Sequence, residues 1–326
     1  MKVRDSNIEL LRIVLMILII IWHYLVYGYG ILENLTTHPI IFITPILVFP
    51  VDCFIFISGY YEVRLKRLKF ISLLGMLVTY SVLTCLVRMA IDNTFDVKAL
   101  FISLFPVSSN YWWFFTQYLM LILLSPMLNI CDGWTKTYFK KVLLLFAFFY
   151  LGIFSLGIGT KIGCIGDLPL FVFIYLLGRY LRKYPIEALI NNRIKIIILL
   201  SIISCSLIFL FIKWNLDSWV LRSISYNNPL IILMAIEAFY VFKCFKMRSI
   251  RIINIIGSTV FASYLITESC LRHVYIGLIM DWCRWYYYVL AALITILLIC
   301  PFELGRKKIS SKIFEKITQS SYKYLC

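Results

Sequence analysis

Three polar side chains interrupt the apolar run NIELLRIVLMILIIIWHYL at residues 7–25: Glu9, Arg12 and His23. Imidazole titrates near neutrality, so His23 is suited to take a proton from a hydroxyl. A guanidinium presents paired donors that match phosphate oxygens, so Arg12 is suited to an anionic cofactor. A carboxylate beside either group can orient it. Each is costly in hydrocarbon, about 2.5–3.5 kcal/mol for a central Arg or Asp on insertion scales, so the three need partners or a purpose. Asp52 is a second intramembrane acid, within FPVDCFIFISGYYEVR (49–64). There Ser58 and Gly59 form a small-residue notch that admits a neighbouring backbone or a ligand, and Arg64 opens the basic run RLKRLK.

These residues need a helix to place them. On an α-helix Arg12 and His23 fall about 20° apart in direction and Glu9 about 60° from Arg12, so all three share one stripe. Along the axis Arg12 and His23 stand about 16 Å apart. Such a stripe must face protein or a wet cavity. Two readings of the first helix stand side by side. In one, Glu9 and Arg12 form a structural i, i+3 ion pair and His23 snorkels near the interface beside Trp22 and Tyr24. In the other, the stripe is a track from a cation at the cytoplasmic edge to a base deeper in. Asp52 likewise reads either as a buried hydrogen-bonding link between helices or as part of that track.

The chain around them is built for lipid. Of 326 residues, 62% are hydrophobic and 15% charged, and the mean hydropathy is +0.91. A hydrocarbon slab of about 30 Å needs about 20 apolar residues per helix. Ten such spans are expected, at 8–30, 40–62, 69–91, 111–130, 142–160, 168–183, 195–213, 228–246, 255–279 and 286–304: an all-α, polytopic membrane protein. The net charge of +16 is spread over alternate loops and does not form a nucleic-acid patch. Most of it falls on one face, in Lys2, Arg4, the 64–69 run, the loops around 136–141, 179–195 and 243–251, and the tail. The other face holds Lys98, Lys161, Lys213, Arg222, Arg272 and Arg284. By the positive-inside rule both termini are cytoplasmic. The first helix lacks a small-residue cleavage site and is expected to be retained. The division expected is a membrane domain over 1–305 and a basic cytoplasmic tail over 306–326, whose KISSKIFEKI is fit for an amphipathic surface helix. The ten cysteines are scattered without metal-like spacing and read as small apolar packers; Cys164 and Cys283 would lie near the outer face, where they could pair. No metal is expected. N34-L-T matters as a sequon only in a eukaryotic secretory setting.

The motifs, taken together, resemble the bacterial acyltransferase-3 family of membrane acyltransferases. E-x-x-R with a histidine eleven residues after the arginine is similar to that family's R-x10-H signature. V-D-x-F-x-x-x-S-G-Y (51–60), Y-W-W-F-F-T-Q-Y-L (111–119) with Pro126, F-I-Y-L-L-G-R-Y (173–180) and S-T-V-F-A-S-Y-L-I (258–266) resemble its later motifs, in order. The resemblance runs from about residue 6 to 305 with a matching ten-helix plan. Two departures stand out: Glu9 where many relatives have Asp, and Thr267 followed by Glu268 where many have a histidine after Y-L-I.

The resemblance implies transfer of an acyl group, usually acetyl, from cytoplasmic acyl-CoA to a sugar hydroxyl of a cell-surface glycan, in the bacterial cytoplasmic membrane. Acyl-CoA is then a co-substrate, with no tightly bound cofactor; the partners are membrane lipid and a glycan acceptor. His23 is the expected base, with Arg12, Glu9 and Asp52 as the other catalytic candidates. Asp52 or Glu9 would fix the histidine tautomer or orient Arg12, with depth favouring Glu9 for Arg12. Arg12, Arg64 and Arg67, with the notch Ser58, Gly59 and Tyr60, are expected to hold CoA. Trp113, Tyr264 and Glu268 are candidates for lining the substrate path, although aromatic side chains at a membrane edge are commonly belt residues. With no soluble domain in the sequence, a capsule or O-antigen glycan, still on its lipid carrier, is favoured over peptidoglycan. A transporter or flippase for lipid-linked sugars is the rival class; the half-to-half repeats common in transporters are not found.

Overall fold

The computed structural model describes residues 5–29, 39–109, 111–154, 167–272, 274 and 285–323. Cys164, Cys283 and Asn34 lie outside them. Every regular element among the described residues is helical: α1 (Ser6–Tyr29), α2 (Thr44–Tyr60), α3 (Arg67–Ile91), α4 (Val97–Ser103), α5 (Trp113–Leu128), α6 (Lys136–Phe146), α7 (Leu168–Lys183), α8 (Glu187–Lys213), α9 (Asp217–Ser223), α10 (Pro229–Lys243), α11 (Arg251–Gly257), α12 (Val260–Thr267) and α13 (Trp285–Lys323). A 3₁₀ turn at Pro39–Ile43 leads into α2, and wider π-type turns extend α6 over Ala147–Phe154.

Among the described residues six segments are long and apolar enough to cross a membrane: Ser6–Gly28, Pro39–Tyr60, Arg67–Ile91, Trp113–Gly133, Glu187–Lys213 and Tyr287–Lys312. The other four expected spans take different forms. Over 168–183 and 228–246 stand α7 and α10, of 16 and 15 residues, short of the about 20 that span hydrocarbon unaided. The span expected at 142–160 begins as α6 and leaves the described residues after Phe154. The one expected at 255–279 is broken into α11 and α12. The helix expected at 195–213 begins earlier, at Glu187, and α13 runs on through residue 305, so the tail continues the last span's helix.

The bundle is organised around α2, apolar on every face and buried along nearly its whole length, as expected of a helix surrounded by others. It packs on α7, α1 and α10. The close crossing with α7 depends on two glycines. A Cβ at Gly59 would lie 2.2 Å from the Tyr175 carbonyl oxygen, and one at Gly178 would lie 2.8 Å from the Phe56 carbonyl oxygen. The small-residue notch of α2 is therefore filled at Gly59 by another helix's backbone, which leaves no room there for a ligand. At this same C-terminal end α2 closes in a Schellman turn: Val63 N–H bonds the Ser58 carbonyl and Glu62 N–H the Gly59 carbonyl, both at 3.1 Å. Glu62 occupies the left-handed position (φ 58°), where glycine is usual. Its carboxylate faces Arg64 at 2.7 Å and Arg179 at 3.7 Å, and Arg179 also pairs with Asp132.

Toward lipid the helices show apolar side chains. α8 exposes Ile194, Ile198, Leu199, Ile202 and Phe209, and α13 exposes Leu290, Ile294, Leu297 and Leu298. The break between α11 and α12 is held from outside: Lys307 of α13 donates to the Ser258 carbonyl at 2.7 Å. The buried Glu303 carboxylate takes two 2.7 Å hydrogen bonds from Arg306 and one of 3.2 Å from the Tyr80 hydroxyl. This clamp fixes where α12 starts, and so where its last residue, Thr267, ends.

Candidate active site

α1 places its polar stripe toward protein. Glu9 is buried and lies 3.4 Å from the half-buried Arg12 guanidinium. Gly257 at the helix break makes this approach possible, because a Cβ there would come within 2.7 Å of the Glu9 Cβ. At the other end of the stripe, His23 is 8% exposed, and both of its ring nitrogens meet the end of α12. Nδ1 is 3.2 Å from the Thr267 hydroxyl and Nε2 is 3.2 Å from Glu268 Oε2. The Thr267 hydroxyl also donates to the Tyr264 carbonyl at 3.3 Å, which leaves its oxygen able to accept from Nδ1–H. Glu268 Oε1 accepts from the Tyr27 hydroxyl at 2.5 Å and faces Arg272 at 3.7 Å; the Arg272 guanidinium lies 4.4 Å over the Tyr27 ring. A ring nitrogen and a carboxylate oxygen at this separation can share a proton, so His23 and Glu268 form one polar unit.

This unit borders a cavity of about 330 Å³, with Trp113, Tyr226, Tyr264 and Phe114 on its walls. Trp113 packs on Tyr226 with ring centres 5.4 Å apart. Its neighbour Trp112 is buried and donates to the Leu265 carbonyl at 3.1 Å, fixing α12. A second, smaller cavity of about 190 Å³ holds Arg12, Ser58 and Tyr118, the last two hydrogen-bonded at 3.0 Å. Three side chains line both: Phe54, Phe114 and Phe261. The stripe of α1 thus runs from a small chamber with a guanidinium to a larger one with an imidazole–carboxylate pair, with a phenylalanine layer between.

The sequence-predicted residues distribute as follows. His23, Trp113, Tyr264 and Glu268 meet at the larger cavity, and Arg12 and Ser58 at the smaller. Glu9 sits on Arg12, as depth suggests. Asp52 is not on His23: it is fully buried, and its carboxylate has no hydrogen-bond partner among the described residues. Arg64 is largely exposed and engaged by Glu62, and Arg67 opens α3 on the exposed surface. Tyr60 stands apart from both cavities, with the Arg182 guanidinium 5.0 Å and the Lys243 ammonium 4.0 Å from its ring centre; Lys243 also bonds its hydroxyl. Among the described residues no group of His, Cys, Asp and Glu is disposed to hold a metal ion. Sequence reasoning missed Thr267, Tyr27 and Arg272 around the histidine, Arg182 and Lys243 beside Tyr60, and the phenylalanine layer. The signal for the first group was T-E directly after Y-L-I, an acid at the end of a buried helix.

The acyltransferase domain of the acyltransferase-3 family matches residues 5–304, nearly the whole chain. The chain belongs to the acyltransferase-3 family. No curated protein and no solved structure matches it. It is a membrane acyltransferase, and both His23 of the R-x10-H pattern and Tyr264 of the Y-L-I segment border the larger cavity. At that cavity α1 and α12 of the acyltransferase, 244 residues apart in sequence at the His23–Thr267 contact, meet end to side.

Proposed function

We propose that this protein transfers an acyl group, acetyl in the first instance, from cytoplasmic acyl-CoA to a hydroxyl of a cell-surface glycan or its lipid-linked precursor. The proposed setting is the bacterial cytoplasmic membrane, with ten crossings and both termini inside. The supporting observation is the pair of chambers along one face of α1, a guanidinium in one and His23–Glu268 in the other. In this reading Arg12, with Arg182 and Lys243 nearby on the same face, draws the CoA phosphates, a role suited to guanidinium donors. The thioester arm extends past Ser58 and Tyr118 and displaces the phenylalanine layer to reach the larger chamber. The separation of about 16 Å between Arg12 and His23 is of the order of that extended arm.

The acceptor hydroxyl then enters between Nε2 of His23 and Glu268. Thr267 holds Nδ1–H, so Nε2 presents its lone pair to the hydroxyl. The hydroxyl oxygen attacks the thioester carbonyl as Nε2 takes its proton; the C–O bond forms, the C–S bond breaks, and the proton passes from Nε2 to the leaving sulfur. Glu268, oriented by Tyr27 and Arg272, stands on the same nitrogen and stabilises the positive charge as it develops on the imidazole; in a hydrolase triad the carboxylate takes the other nitrogen.

The test uses membranes holding equal levels of wild type, His23→Ala or Arg12→Ala, incubated with acyl-labelled acetyl-CoA and envelope glycan. Label in alkali-labile ester on glycan is expected with wild type and absent with His23→Ala. Unimpaired labelling by His23→Ala would remove the histidine from the chemistry. Absence of ester with wild type, while the protein moves lipid-linked sugar across vesicles, would replace the reading with transport.

A further inference from the structure

A polar cleft lies at the end of α3 remote from Arg67, against α4. Its cavity, about 330 Å³, is lined by Cys85 and Arg88 of α3, Asp92 just past its end, Asp96 and Ser103 at the ends of α4, and Cys270 just beyond α12. A further cavity of about 300 Å³ adjoins it: Arg88, Tyr111 and Cys270 line both, and this second one also touches Arg272 and Glu268. Glu268 in turn borders the chamber of His23. Three cavities therefore stand in a row from α4 to the Nε2–carboxylate pair, each sharing wall residues with the next.

The chemistry of this cleft differs from that of the chamber it leads to. The chamber walls are aromatic and aliphatic, whereas the cleft offers guanidinium, carboxylate and hydroxyl groups within one cavity. Arg88 and Asp92 form an i, i+4 pair at 3.3 Å with both side chains about half exposed, so each keeps hydrogen-bonding capacity for a ligand. A mixture of charged donors and acceptors at spacing of this kind suits a molecule whose surface alternates hydroxyls and ring oxygens. α4 adds the level of the opening. It exposes Val97, Phe101 and Ile102 and is followed by exposed Leu104 and Phe105, a short helix with an apolar flank beside a charged cleft, as at a membrane surface.

We infer that this cleft between α3 and α4 is the binding site of the acceptor, a polyhydroxylated sugar chain held by Arg88 and Asp92 with its reactive hydroxyl directed past Arg272 to Glu268. The inference rests on the acyl-transfer reading for the identity of the reaction, but the binding stands on the cleft itself. A chain bound here leaves the donor's route untouched, because acyl-CoA arrives from the opposite side of the phenylalanine layer.

The experiment uses full-length protein in lipid nanodiscs and the double variant Arg88→Gln/Asp92→Asn. The pair is surface-exposed and contributes little to stability, so the variant folds. Two probes are used: de-esterified oligosaccharide released from the producing cell's envelope, and the lipid-linked glycan extracted from the same cells. Binding is read by protection of Cys270 and Cys85 from maleimide, identified by peptide mass, and catalysis by labelled ester formed against acceptor concentration. The expected result is protection by glycan in wild type that is lost in the variant, with acceptor KM raised about tenfold, the worth of one charged hydrogen bond, and KM for acetyl-CoA unchanged. Protection by the lipid-linked probe alone assigns the site to carrier-bound glycan, and protection by both assigns it to the sugar itself. An unchanged acceptor KM, or no protection of either cysteine in wild type, overturns the inference even where transfer proceeds. Protection that is lost in the variant while no ester forms upholds the cleft and removes the acyl-transfer reading instead.

Discussion

The two ends of α1 treat their charges differently. At the Arg12 end, one carboxylate stands 3.4 Å from a guanidinium that keeps about a third of its surface exposed (34%). At the His23 end both ring nitrogens lie 3.2 Å from a partner, and the carboxylate behind is itself held by a tyrosine and an arginine. A tightly organised, water-poor group is what proton transfer rewards, because it need not reorganise during the reaction. A half-open cation is what ligand capture rewards, because its free donors are still available. Under the proposed function, the contrast puts chemistry at one end of the helix and binding at the other.

Mutations can break that division. The largest effect is expected for His23→Ala, a fall in kcat of roughly 10²- to 10⁴-fold, the usual worth of a general base, measured as initial rate of ester formation at saturating acetyl-CoA. Glu268→Gln keeps the shape and removes the charge that steadies the imidazolium; a loss on the order of 10²-fold in kcat is expected, with KM for acetyl-CoA unmoved. A larger loss from Thr267→Val than from Glu268→Gln would shift the emphasis to Nδ1. Arg12→Gln should act in the opposite sense, raising KM for acetyl-CoA by about 10- to 100-fold, as loss of a charge-assisted contact does, while kcat changes far less. A fall in kcat with KM unchanged would end the division between the ends. The smallest effect is expected for Asp52→Asn: rates within about twofold of wild type, and no loss of stability, since a neutral amide is cheaper to bury than an unpaired acid.

The stripe itself was legible from spacing alone, because eleven residues return an α-helix close to the same direction. So was the pairing of Glu9 with Arg12, which needs only one helix turn. Which acid reaches His23 was not legible. Asp52 and Glu268 are both intramembrane carboxylates, and the choice depends on how far α12 is pushed along α1, which the Lys307–Ser258 contact and the glycine at the helix break decide together. Gly59 shows the same limit from another side: a notch marks a close approach, but only the tertiary structure shows that Tyr175 fills it. The expected ten spans part from the structure at α7, α10 and α11–α12, because apolar runs in the sequence do not show where a helix surrounded by neighbours is short or broken.

The phenylalanine layer carries a consequence for the cell as well as for the reaction. Among the described residues Phe54, Phe114 and Phe261 stand between the two chambers on one face of α1. Across an energised membrane each unit charge that slips through dissipates about 2.3 kcal/mol per 100 mV. Three apolar rings offer a proton no place to rest, so under the proposed function the layer that must yield to a thioester also insulates one chamber from the other.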